Sequence, residues 1–391
     1  MPGISFVPAA ILAVMLPINT QAQTGGFVSM LGKDTAFVER YVQTGNKIEG
    51  TLVNHFAARP GAPSPVVTRY VITMNDDGTV ATYEVAPYLA DGTRLPGASI
   101  GQRMRFTGDS VIRETTVPLA AYRNAAPKGT LPILLYSQLL IQLGIQQAKR
   151  EGAGRYNAYT SASGQTTPVP VKVRFIGNDS AEVETSVIST TGAYYNGYRI
   201  DRAGRITRGD GSKSTWKFVI TPVKDLDVVA IASGWAAKAA AGRAPGIMSP
   251  TDTLKATIGA ANIQIVYSRP GKRDRQIWGG LVPWGEVWRF GANAATMFTT
   301  DKNLDIGGSA VPAGTYTLWL LPTKGQSLLI VNKETKQWGT QYNAEQDLVR
   351  IPVEAHMGLP AVEERFTLSM VGDKLMFRWD NGGYGVKISQ R

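Results

Sequence analysis

Across residues 27–231, hydrophobic and polar positions alternate in short runs broken by turn residues, the pattern of strands with one buried face. Segments 69–74 and 80–85 flank Asn75-Asp76-Asp77-Gly78, a hairpin loop by composition because Asn, Asp and Gly tolerate positive φ. Similar turns stand at 108–110, 177–180 and 203–204. The stretches RFTGDS (105–110) and RFIGNDS (174–180) echo each other, and two echoes suggest a meander rather than a repeat array. One segment breaks the rhythm. Residues 131–151 (LPILLYSQLLIQLGIQQAKRE) place Leu135, Leu139, Leu140, Leu143 and Ile145 at helical spacings, then reach Lys149, Arg150 and Gly152, which suit a helix C-terminus.

Residues 233–250 (SGWAAKAAAGRAPGIMSP) are rich in Ala and Gly without an apolar period and read as a linker. Beyond it, 257–267, 315–321 and 328–331 read as strands. A closing hairpin follows, in which Phe366, Leu368 and Met370 alternate with polar neighbours, Gly372-Asp373-Lys374 turns, and Leu375, Phe377 and Trp379 alternate back. The expected fold is mainly β with two domains. An antiparallel curved sheet or half-barrel with one covering helix (23–232) precedes a β-sandwich or small barrel (251–391).

A chain of 391 residues is long enough for two domains, each able to bury its own core. No charged side chain precedes Lys33, and 4–18 (ISFVPAAILAVMLPI) is almost wholly apolar before Thr20-Gln21-Ala22. Residues 1–22 therefore read as a signal peptide or an N-terminal anchor; the run is short of the ~20 residues a spanning helix needs. Cysteine is absent, which excludes disulfides, thiolate nucleophiles and thiolate-bound metals. The net charge of +11 is uneven: residues 1–245 hold 25 Lys and Arg against 17 Asp and Glu, and residues 246–391 hold 16 against 13. In an extracytoplasmic chain that surplus suits an anionic membrane surface or acidic partners rather than nucleic acid, or is simply a solvated face.

Residues 277–296 (IWGGLVPWGEVWRFGANAAT) gather three tryptophans, four glycines, one acid, one arginine and one asparagine. They sit within a longer pattern: Tyr267-Ser268-Arg269-Pro270, Arg275, Ile277-Trp278-Gly279, Leu281-Val282-Pro283, Gly285, Val287-Trp288-Arg289, Gly291-Ala292-Asn293 and Ala295-Thr296. Val311-Pro312-Ala313-Gly314-Thr315-Tyr316, Asn332-Lys333 and Gln337-Trp338-Gly339 continue it. In order and spacing this resembles a family of secreted bacterial proteins known only as a domain of unknown function, from about residue 249 to the C-terminus. Asp274 stands where that pattern has a glycine, Trp284 where it has a tyrosine, and Phe290 where it has a small polar residue. The resemblance implies a fold and an envelope location, and no accepted activity. The N-terminal half is similar only in outline to the half-barrels of lipoprotein carriers.

Gly97-Ala98-Ser99-Ile100-Gly101 matches a nucleophile elbow in letters, but its flanks read as loop and strand rather than strand and helix. His55 and His356 lack partners at metal-ligand spacing, and no metal or cofactor is expected. Arg208-Gly209-Asp210 reads as a turn. The candidate binding residues are Arg269, Arg275, Trp278, Trp284, Glu286, Trp288, Arg289 and Asn293. Guanidiniums fork onto carboxylates and phosphates and tryptophans make stacking walls. The bland alternative is a Glu286–Arg289 pair, an Asn293 loop tie and tryptophans used for packing. No catalytic residues are assigned, since one carboxylate without a partner makes a poor acid/base apparatus.

The leading expectation is thus a non-enzymatic extracytoplasmic binding or scaffold protein contacting envelope or membrane proteins. One form of it would be a membrane-extrinsic subunit of a larger bacterial complex, such as a photosynthetic assembly. Two alternatives stand beside it: a carbohydrate- or anion-binding or hydrolytic domain using Arg269, Glu286, Arg289 and Asn293, and a lipid carrier built on the N-terminal domain.

Overall fold

A computed structural model describes residues 22–57, 61–95, 102–116, 119–159, 167–185, 194–211 and 217–391. The Gly97–Gly101 motif and the 1–21 part of the N-terminal segment lie outside them. The chain is mainly β in two domains, as its patterning predicts.

The N-terminal domain opens with β1 (Gln23–Leu31), β2 (Asp34–Thr44), β3 (Lys47–Asn54), β4 (Val66–Met74) and β5 (Val80–Tyr88). It continues with β6 (Gln102–Phe106), β7 (Ser110–Thr116), β8 (Leu119–Ala125), β9 (Leu131–Pro132) and β10 (Arg155–Tyr159). The last five are β11 (Val169–Ile176), β12 (Ser180–Thr185), β13 (Tyr194–Ile200), β14 (Ile206–Asp210) and β15 (Val219–Val223). They form one sheet in the order 8-7-6-5-4-3-2-1-15-14-13-12-11-10-9, so the first and last strands of the domain pair at its middle. A side-chain hydrogen bond, Asn124 of β8 donating to the Tyr159 hydroxyl of β10 at 2.6 Å, links the two end regions of the sheet, with no strand ladder between them among the described residues. Arg208-Gly209-Asp210 lies within β14, paired with β13, and is not a turn.

Helix α1 (Gln138–Arg150) fills the concave side. It starts later than the apolar spacing suggests, because Leu131–Pro132 pairs with β10 as a strand and Tyr136 takes a φ of 74° before the Ser137 cap. Its N-terminus rests on the buried Glu39 carboxylate, which accepts from the Ser137 hydroxyl (2.6 Å), Gln138 N (2.7 Å), Leu139 N (3.0 Å) and the Tyr70 hydroxyl (2.7 Å). Four donors and the positive helix end offset the cost of burying that carboxyl, although burial still raises its pKa. Leu139, Leu140, Ile145 and Ala148 join Tyr70, Tyr83 and Tyr156 in one core. Packing there is tight enough that a Cβ at Gly144 would stand 2.3 Å from the Tyr156 ring.

A second helix, α2 (Val228–Ala240), occupies the first part of the expected linker. Asp227 caps it, accepting from Ala230 N at 2.9 Å, and its alanines favour helix without supplying a period. Phe37 and Leu52 face the α1 core, whereas their neighbours Val38 and Val53 pack with Val228, Ala232 and Trp235 of α2. By the two-residue period of a strand, α2 covers the opposite, convex face, so the sheet carries two helices rather than one. His55 stacks on Trp235 at 4.1 Å and bonds the Thr35 carbonyl.

The C-terminal domain stacks two sheets of six strands. The first joins β16 (Thr251–Ile258), β17 (Ala261–Ser268), β18 (Thr296–Thr300), β21 (Gly314–Leu321), β22 (Leu328–Asn332) and β23 (Asp347–Pro352). The second contains β19 (Leu304–Ile306), β20 (Ser309–Val311), β24 (Glu354–Met357), β25 (Glu363–Val371), β26 (Lys374–Asp380) and β27 (Gly382–Gln390). Inward residues from both, such as Ile265, Phe298, Leu318, Phe366, Phe377 and Tyr384, form a single core. No helix among the described residues is long and apolar enough to cross a membrane.

Candidate functional site

The tryptophan-rich run belongs to the long connection from β17 to β18. It is held in place by isolated bridges such as Trp288 to Leu320 and Ala294 to Trp338. Ile277, Val282, Trp288 and Phe290 sink into the sandwich core and anchor this loop to it. Phe290 is fully buried at a φ of 52°, and Asn293 has a φ of 60°. Asp274, where the pattern has a glycine, has a φ of 59°, which accounts for a glycine there.

The same connection meets the N-terminal domain. Lys33 N donates to the Arg273 carbonyl at 3.1 Å, Arg273 pairs with Asp34, and its guanidinium lies 4.7 Å over the Phe56 ring. Close approach depends on Gly32, at which a Cβ would fall 2.0 Å from the Arg273 carbonyl oxygen. Ala57 N donates to the Gly246 carbonyl at 3.1 Å, tying the linker to the same seam.

Beside this seam lies a cleft of about 400 Å³. The N-terminal domain contributes Leu31, Asn54, Phe56, Leu135, Tyr136 and Lys217, and the linker contributes Ile247 and Met248. Across from them stand Arg275, Leu281, Trp288, Arg289, Asn293 and Trp379 of the C-terminal domain. Trp288 and Trp379 stack at 5.9 Å and form one aromatic wall. The described lining includes three cations, Lys217, Arg275 and Arg289, and no Asp or Glu.

These cations are in an unfavourable setting. Arg289 retains partial exposure, but its Nε is sealed from solvent with no hydrogen-bond partner, and burial lowers its pKa to about 10. Arg275 donates to the Lys272 and Gly271 carbonyls at 3.0 and 2.6 Å. Burial first, and then the Arg273 charge, bring it down to about 10 as well. The Lys217 amine is held below its ordinary value by burial and then by Arg289 and Arg275, with Glu286 and Asp210 opposing. The acids nearest Arg275 are already engaged: Asp34 pairs with Arg273, and Glu364 accepts from Arg273 N at 3.0 Å. A buried, desolvated positive site of this kind attracts an anion.

Of the residues singled out by the sequence, the structure brings Arg275, Trp288, Arg289 and Asn293 to the cleft. Arg269 instead clamps strands, donating to the Phe366 carbonyl (3.2 Å), Asp252 (3.1 Å) and Thr367 (2.9 Å). Trp278 stacks on Trp284 at 6.4 Å and donates to the Trp379 carbonyl, so this pair packs against β26 and β27 outside the cleft. Glu286 is exposed and makes no ion pair with Arg289. Asn293 lies 3.5 Å from the Ser249 carbonyl and ties the loop to the linker. Sequence reasoning missed Lys217, Phe56, Leu135, Tyr136 and Trp379, which come from distant segments. No local spacing signals that they converge.

His55 and His356 sit in separate domains, and among the described residues no three His, Cys, Asp or Glu side chains gather as a metal site. The molecule is therefore a two-domain β protein with a cationic interdomain cleft. Residues 249–388, about a third of the chain, match the family described as protein of unknown function (DUF2911), in keeping with the resemblance read from the C-terminal motifs. No curated protein and no solved structure matches the chain.

Proposed function

We propose that this is a non-enzymatic, extracytoplasmic binding protein that holds an anionic small molecule in the cleft between its domains. The observation that carries the reading is Arg289, a guanidinium lining the cleft whose sealed Nε has no partner. An anion would supply the missing acceptor and relieve the repulsion that Arg289 and Arg275 exert on Lys217. Binding is favoured over turnover because proton transfer calls for an acid beside a base, whereas this lining sets cations beside indoles. The apolar 4–18 segment ahead of Thr20-Gln21-Ala22 supports the extracytoplasmic location.

Native mass spectrometry of the untagged protein from its source, compared with Arg289→Met prepared identically, tests the reading. The wild type is expected to carry an additional organic anion that the variant lacks. A wild type with no mass beyond its polypeptide, or the same added mass on both proteins, would overturn the proposal.

A further inference from the structure

The cleft lining mixes two chemistries. Arg275 and Arg289 of the C-terminal domain and Lys217 of the N-terminal domain supply cations, whereas Leu135, Ile247 and Met248, together with the stacked Trp288 and Trp379, supply apolar surface. Leu135 is 38% exposed and Ile247 and Met248 are partly exposed, so together they offer apolar surface that a ligand can cover. A sugar phosphate or small polyacid would satisfy the cations and leave that surface wet. A neutral lipid would cover the surface and leave the Arg289 Nε without an acceptor.

Resting on the anion-binding reading above, we infer that the ligand is an amphipathic acid: a carboxylate or phosphate on an acyl or aryl body, its head among Arg275, Arg289 and Lys217 and its body against the apolar surface of Leu135, Ile247 and Met248. The volume of about 400 Å³ suits a compact molecule of this class rather than a two-chain lipid. Because it touches residues of both domains, such a ligand also stabilises their pairing by mass action.

Isothermal titration of the full chain with decanoate, decanol and citrate tests the inference. Decanoate is expected to bind one to one, at least about tenfold more tightly than decanol or citrate. Arg289→Met should weaken decanoate by at least about tenfold. Leu135→Asn, a neutral change at an exposed position of the apolar surface, should weaken decanoate by more than it weakens any citrate binding. Citrate binding as tightly as decanoate, with Arg289 required, would overturn the amphipathic assignment and leave the anion site standing. Decanol equalling decanoate, or no binding of any probe to folded protein, would overturn both.

Discussion

Buried charge appears in two regions of this molecule, with opposite treatment. In the N-terminal core the Glu39 carboxylate is met by four hydrogen-bond donors and a helix N-terminus. In the interdomain cleft, Arg289 keeps an unpartnered Nε near two further cations, with no acid among the described lining. A satisfied buried charge orients a fold; an unsatisfied one is tolerated where a ligand completes it. The contrast separates the architectural part of the molecule from the part open to binding.

The largest effect expected is at the satisfied site. Glu39→Ala strips partners from Tyr70, Ser137 and the first turn of α1, and urea unfolding should show a loss of about 3–5 kcal/mol. A loss below about 1 kcal/mol would mean that the carboxylate does not organise the core. The next test compares two arginines of the signature. Arg269→Met breaks a pair with Asp252 and bonds to Phe366 and Thr367, at a cost of about 1–2 kcal/mol. Arg289→Met removes an unsatisfied charge and should leave unfolding stability equal or higher by up to about 1 kcal/mol. If Arg289→Met proves the more damaging of the two, the cleft arginine is architectural and the contrast fails.

The smallest effect concerns Lys217. Its folded-state pKa lies below its ordinary 10.5 because of burial, Arg289 and Arg275, so the native state holds fewer protons than the unfolded chain just below that value. Stability accordingly rises with pH across the window between the folded pKa and 10.5, and the full cost of the charged amine is present at neutral pH. In a lysine titration followed by NMR, Lys217 should deprotonate ahead of the surface lysines. Its midpoint should move up when decanoate saturates the cleft, and also in Arg289→Met. A Lys217 curve overlying the other lysines in the free protein would remove the repulsion from the argument.

Much of the architecture is legible in local patterning because strand alternation and turn chemistry act over a few residues. The hairpin at Asn75–Gly78 follows, with Gly78 at a φ of 77°, as does the closing hairpin turned at Gly372 with φ 60°. Helix α2 is harder to see: its alanines give no period, and its one large buried anchor, Trp235, finds its place only against the convex face. The start of α1 is likewise a tertiary matter, since Leu131–Pro132 pairs as a strand with β10.

For the run at 277–296, the sequence by itself determined which residue types were available: guanidiniums, indoles and glycines in a β-sandwich domain. Tertiary structure decided their use. Arg269 lies in the same signature as Arg289, yet Asp252 and Thr367 satisfy it, while Arg289 is turned toward a seam that exists only because a second domain docks there. Lys217 and Leu135 reach that seam from segments far apart in the chain. Local periodicity encodes which face of an element is buried; whether a buried charge finds a partner depends on residues that the chain brings together only after folding.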